Sequence, residues 1–259
     1  MGGLILLVVF LMCVFLSVPI GFSIGLSVVA YAMATGSVNM GYIASGLFAS
    51  CDSFPLMAIP FFILAGNLMK SGGISRRILE FADAVVGWIT GSVGMVTVVA
   101  SMFFAALSGS SPATVTAIGS ITIPKMKEEG YDPAYATAIT AAAGTIGVII
   151  PPSIPFVIYG VAAQCSISDL FLAGVIPGLL IGLVLMGVNY YTAHTKHYGK
   201  RSTFSLRKLF KTLLDSIWAL LVPVIILGGI YGGFFTPTES AVSAIIYSII
   251  IGVFVYREL

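Results

Sequence analysis

Charge is what this sequence has least of. Only 8% of its 259 residues are Asp, Glu, Lys or Arg, where a soluble domain carries about 25%. With 58% of residues hydrophobic and a mean hydropathy of +1.08, an ordinary soluble fold is excluded. Alternating strands of about ten residues are also missing, which argues against a transmembrane β-barrel. Three cysteines and two histidines offer little to a metal. Cys13, Cys51 and Cys165 lack CxxC or other ligand spacing and read as small packing residues. His194 and His197 flank a basic loop with no Cys or carboxylate partner at ligand spacing. No GxxxxGK[ST] loop occurs, so direct ATP drive has no support. The net charge of +2 is spread over short loops and carries no nucleic-acid signature. Residues 1–34 lack a basic start and a clear cleavage site, so they are expected to be retained membrane helix rather than a signal peptide. What remains is an all-α polytopic membrane protein.

The stretch that organises the chain is 92–160. Two apolar arms, 93–107 and 112–126, flank the tetrad Ser108-Gly109-Ser110-Ser111, with Pro112 directly after it. Each arm has about 15 residues, and a membrane-crossing helix needs about 20. The spacing therefore predicts a re-entrant helical hairpin whose hydroxyl-rich tip stops inside the membrane. An apolar run over 132–164 follows, interrupted by Pro151-Pro152-Ser153-Ile154-Pro155. Each proline removes an amide donor and its ring clashes with the preceding turn, so this helix breaks near its middle. Bare backbone at membrane depth survives only against protein or a wet cavity. A hairpin tip and a broken helix close in sequence suit an ion and solute site at the bilayer midplane.

The remaining chain is read in order. Residues 4–35 would make one helix of some 48 Å, too long for a core of about 30 Å without strong tilt. Two short helices meeting at Ser17-Val18-Pro19-Ile20-Gly21 are preferred, with one kinked helix left open. Residues 36–53 are expected to be a connector or interfacial segment holding Asp52. A span is expected over 54–69. In 74–89, Ile74, Ile78, Phe81, Val85 and Ile89 recur at helical spacing, with Arg76, Arg77, Glu80 and Asp83 mostly elsewhere on the wheel. This is an amphipathic helix suited to the membrane interface, anchored by Trp88. Further spans are expected at 170–191, 217–233 and 239–256, with a basic loop before 217. Four segments result: N-terminal membrane helices (1–73), the interfacial helix (74–91), hairpin plus broken helix (92–165), and further spans with the basic loop (166–259). If the hairpin enters and leaves by one face, Lys70, Arg76, Arg77, Lys125, Lys127, Lys196, Lys200, Arg201, Arg207, Lys208 and Lys211 share one side. The positive-inside rule makes that side cytoplasmic. The basic loop is also placed to touch anionic headgroups.

At these residues a family resemblance emerges. GNLMKSGGISRR, FFAALSGSSPATVTAIGSITIPKM with GY after it, GVIIPPSIPFVIYG and YGGFFTPTESAV resemble, in that order, the large membrane subunit of tripartite ATP-independent periplasmic (TRAP) transporters. The resemblance covers essentially the whole chain. It implies a sodium-coupled secondary importer of small organic acids in a bacterial inner membrane, not an enzyme. It also implies an elevator-type fold of the ion-transporter superfamily, with two inverted repeats each holding a hairpin and a broken helix. The implied partners are a small membrane subunit and a periplasmic solute-binding protein. A sodium/carboxylate transporter that needs no binding protein is the alternative. Only one hairpin and one broken helix occur here, so the chain is expected to be an N-terminal part, with the second repeat absent.

Sodium takes hard oxygen ligands, as other hard cations do. The expected cation site is Ser108 and Ser110 at the tip, facing carbonyls of Gly147, Ile150 and Pro152 at the break. A carboxylate would use Gly109, Ser110, Ser111 and Ser153, helped by the positive end of the helix starting at Pro112. The plainer reading is that these small residues only let helices pack closely. Glu239 in FFTPTES is either a cation or proton ligand or the acidic first-turn residue of a helix capped by Thr236 or Thr238. A pore would spread small polar groups along whole helices, and an intramembrane protease would need Ser/His or paired Asp within spans. Neither pattern is present. A scaffold-only role stays open.

Overall fold

The computed structural model describes residues 2–36, 38–199 and 203–259. They divide into two compact units, Met1–Ser53 and Phe54–Leu259. In the first, α1 (Gly2–Phe15) packs on α2 (Ile20–Thr35). The two-helix alternative is the one adopted, with Ser17 at φ 60° in the turn ahead of Pro19. Proline has no amide to continue α1, so the chain restarts after it. A third helix, α3 (Met40–Cys51), occupies the expected connector, opened by Asn39 accepting from the Gly41 amide at 2.8 Å.

The second unit is built around one helix. It contains α4 (Ala58–Ser71), α5 (Ile74–Val86), α6 (Ser92–Ser108), α7 (Ser111–Glu128), α8 (Pro133–Gly144), α9 (Ile154–Ala163), α10 (Ile167–Lys196), α11 (Leu206–Tyr231) and α12 (Pro237–Ile250). Among them α6 is buried along nearly its whole length, with α4, α5, α7, α8 and α10 against it. Its residues are mostly small or β-branched, which lets several helices approach at once. Among the described residues four stretches are long and apolar enough to cross a membrane: Phe54–Ser71, Ile167–Lys196, Leu206–Tyr231 and Pro237–Val255. The hairpin arms α6 and α7 have 17 and 18 residues, about 25–27 Å at the α-helical rise.

Three expectations need adjusting. Residues 206–216 are helix, not loop: α11 starts at Leu206, with Ser205 accepting from the Lys208 amide at 3.4 Å. Arg207, Lys208 and Lys211 therefore sit in its first turns, where the helix dipole disfavours cations. Lys208 is compensated by Asp83 of α5 at 2.6 Å. The basic stretch is also shortened from the other side, because α10 runs on to Lys196. Lys200 and Arg201, used in the orientation argument, lie outside the described residues. Finally, α4 was grouped with the N-terminal helices on sequence, yet it packs on α12 and α6 inside the second unit.

The apolar stripe of α5 is covered by protein. Ile74, Ile78, Leu79 and Ala82 are buried against α6 and α11, Phe81 meets Phe103 at 5.7 Å, and Arg76 and Glu80 stay outside, paired at 3.1 Å. The Ser216 hydroxyl of α11 donates to the Arg77 carbonyl at 2.9 Å. Trp88 remains 46% exposed, with its ring edge on Phe204.

Candidate functional site

The tip of the α6–α7 hairpin meets the break between α8 and α9. Gly109 ends α6 in the left-handed region at φ 60°, a conformation glycine adopts without a Cβ penalty. Its carbonyl accepts from the Ile154 amide at 3.2 Å, so the first amide of α9 is satisfied by the tip. A Cβ at Gly109 would stand 2.7 Å from the Pro152 carbonyl oxygen. Only a bare backbone fits between the two loops.

Proline chemistry explains the break. After α8 a 3₁₀ turn covers Thr145–Val148. In a continuing helix the amides of 151, 152 and 155 would serve the carbonyls of 147, 148 and 151, and prolines occupy all three positions. The Val148 carbonyl is instead met by the Ser153 hydroxyl at 2.7 Å, and the Phe156 amide closes on the same hydroxyl at 3.4 Å. Ser153 thereby caps α9, with no exposed surface. Among the described residues no backbone hydrogen bond reaches the carbonyls of Ile149, Ile150, Pro151 or Pro152. Ile150, Pro151, Pro152 and Ser153 are buried, and Ile149 is half-buried.

Beneath the tip lies a second polar knot. The wholly buried Thr114 donates its hydroxyl to the Ser110 carbonyl at 2.9 Å, and its oxygen lies 3.0 Å from the Ser108 hydroxyl. Gly147 seats directly on this knot: a Cβ there would be 2.5 Å from Thr114 Oγ1 and 2.9 Å from the Ser110 oxygen. The predicted residues Ser108, Gly109, Ser110, Gly147, Pro152 and Ser153 thus fall at one junction. Ile150 is buried beside it and packs under Gly178 of α10. Ser111 opens α7 and is half-buried. Glu239 stands apart. It closes a capping box at the start of α12, its carboxylate accepting from the Thr236 amide at 2.8 Å and its own amide donating to the Thr236 hydroxyl at 3.3 Å.

Several contributors escaped the sequence reading. Thr114 is one. Another is a ridge on α10, Gly174, Gly178 and Gly182, which faces Ile149 with Phe156, then Ile150, then Met102. A spacing of four glycine-to-glycine is a recognised close-packing pattern in membrane helices, and it brings α10 onto the break. A third is Asn189, the wholly buried amide of α10. It donates to the Gly91 carbonyl at 3.0 Å and accepts from the Tyr135 hydroxyl at 3.2 Å. Asn67 and Lys70 of α4 are a fourth. With Ile63, Gly66, Ser108 and Thr116 they line a cavity of about 240 Å³ beside the tip.

Residues 7–259 match the DctM component of the tripartite ATP-independent periplasmic transporters. The chain belongs to that family. It is 52% identical to the isethionate TRAP transporter permease protein of Oleidesulfovibrio alaskensis over 93% of this chain and 38% of that protein. It is 46% identical to the C4-dicarboxylate TRAP transporter large permease protein of Vibrio cholerae, over 99% of this chain and 56% of that protein. It is 44% identical to the sialic acid TRAP transporter permease protein of Haemophilus influenzae, over 98% of this chain and 41% of that one. The chain therefore spans about half the length, or less, of these TRAP permeases. Membership places the tip and the break in a part of the DctM family's sequence. Oxygen is the only donor at the junction, from hydroxyls and carbonyls, so a hard cation is the metal it suits. Among the described residues no cluster of three or more His, Cys, Asp or Glu side chains occurs.

Proposed function

We propose that this chain supplies half of the transport path of a sodium-coupled TRAP importer for small organic acids. The α6–α7 hairpin enters and leaves the membrane by one face. In this reading it travels with the broken helix as an elevator unit. Sodium is co-transported cargo, held by hydroxyls of Ser108 and Ser110 and by carbonyls of Gly147, Ile150 and Pro152, with the Thr114 hydroxyl added. The acid is held near Gly109, Ser110, Ser111 and Ser153. A small membrane subunit and a periplasmic solute-binding protein complete the system in a bacterial inner membrane. Isethionate, C4-dicarboxylates and sialic acid, which the relatives' names carry, are all acids, and this chain takes a member of that class.

One observation carries the proposal: the Gly109 carbonyl bound to the Ile154 amide. It joins a hydroxyl-lined tip to a segment whose carbonyls have lost their helical donors. Carbonyls freed in this way are what a membrane cation site uses.

The decisive experiment reconstitutes the permease containing this chain with its partners in proteoliposomes. Uptake of succinate, isethionate and N-acetylneuraminate is measured with and without an inward sodium gradient. Uptake of at least one acid should rise with the gradient, and equal uptake of all three in both conditions would overturn sodium coupling. Thr114→Val in the same assay is expected to raise the half-saturating sodium concentration about tenfold. It removes an oxygen from the knot and leaves the Ser108 hydroxyl without its buried partner, a loss of about 1–3 kcal/mol. An unchanged sodium dependence would remove Thr114 from the site.

A further inference from the structure

The cavity beside the tip has two unlike ends. At one, Ser108 and Ser110 line the wall, and Gly66 of α4 comes so close that a Cβ on it would lie 3.4 Å from the Ser108 Cα. At the other end stands Lys70, one turn further along α4. Four residues at the helical rise separate Gly66 from Lys70, about 6 Å along the axis. Asn67 lies between, and Thr116 of α7 lines the cavity as well. Among the described residues ion pairs are made by Arg76, Arg77 and Lys208, and Lys70, like Lys125, Lys127 and Lys211, enters none. Lys70 and Asn67 are exposed on that wall, where an unneutralised cation attracts an anion.

We propose that Lys70 and Asn67 form the anion-recognising wall of the solute path, with Lys70 taking the acid group and the tip hydroxyls taking the solute's other polar end. This rests on the transport reading above and specifies its substrate: an anion with a second polar group, such as a diacid or hydroxy-acid. The cavity, at about 240 Å³, is smaller than the roughly 300–1,000 Å³ pockets that enclose drug-sized ligands. Asn67 offers both a donor and an acceptor, so it can read a hydroxyl beside the acid group. A basic residue in the last turn of α4 also suits the helix dipole. That role alone predicts no effect on solute affinity.

Two measurements on the assembled transporter test this. In sodium-driven succinate uptake, Lys70→Gln should raise KM about tenfold, the equivalent of about 1.4 kcal/mol, with the half-saturating sodium concentration unchanged. Lys70→Arg should stay within about threefold of wild type. A wild-type KM in Lys70→Gln, or a fall in maximal rate at unchanged KM, would overturn the proposal. The second measurement does not depend on transport. Lys70→Cys is made in a background with Cys13→Ser, Cys51→Ser and Cys165→Ser, and its maleimide labelling is timed with succinate, isethionate or N-acetylneuraminate present. Slowing by at least one of the three acids is the expected result. Labelling unaffected by all three would overturn the proposal. If no acid is taken up by the wild type while one of them still slows labelling, the transport reading fails and the anion wall stands.

Discussion

Gly109→Ala should abolish sodium-driven uptake while leaving the protein folded in the membrane. The left-handed backbone costs a non-glycine residue about 1–2 kcal/mol. The new methyl would also meet a backbone oxygen, that of Pro152, at 2.7 Å, and neither side of that contact can rotate away. Tip and break must part, which sacrifices the bond from the Ile154 amide to Gly109, worth about 1 kcal/mol net. Together these amount to about 2–3 kcal/mol, or on the order of a hundredfold fewer molecules with the tip docked. Gly130→Ala is the control. Gly130 has φ 85° and nothing within 4 Å of an added Cβ, so it carries the backbone penalty without the collision. Its uptake should fall by no more than about thirtyfold if conformational strain alone is transmitted. Equal loss in the two variants would show that the contact with Pro152 is unimportant.

Gly178→Leu is expected to have the other large effect. Gly178 lies on Ile150, whose amide nitrogen would be 3.4 Å from an added Cβ and whose side chain would be closer still. Overfilling a packed interior costs about 1–3 kcal/mol, and here the strain falls on the residue next to Pro151. Uptake should drop by more than tenfold, with a lower melting temperature of the purified permease. Gly187→Leu on the same helix should do neither, since a Cβ at Gly187 meets nothing within 4 Å. If both variants behave alike, the α10 ridge does not support the break.

The legible part of the fold was the part dictated by covalent chemistry. Prolines at 151, 152 and 155 cannot donate whatever surrounds them, so the interruption after α8 followed from composition alone. The turn at Gly109 and the restart after Pro19 were readable for similar reasons. The beginning of α11 was not. Arg207, Lys208 and Lys211 look like loop until Asp83 is placed beside Lys208, and that partner lies 125 residues earlier in the chain. Thr114 and Asn189 were hidden for a different reason. A single hydroxyl or amide in an apolar run has the same appearance whether it caps its own turn, as Thr97 does on the Val93 carbonyl, or reaches a distant element. Asn189 reaches the distant Gly91 and Tyr135, whereas Thr114 bonds its own turn at Ser110 and also Ser108 across the tip, which only the fold of the tip brings within reach. The tip and break residues were named together because each carries a local signature; Lys70 was noticed only as an orientation signal, since nothing local links it to Ser108.

The single carboxamide of Asn189 has a mechanical consequence. Through one side chain it fastens the threshold of α6 at Gly91 and the first turn of α8 at Tyr135 to the far part of α10. Its two hydrogen bonds, each worth about 1 kcal/mol net, couple these three pieces at one point. In the elevator reading proposed above, a displacement of the hairpin therefore either carries α8 and α10 with it at that end or breaks both bonds.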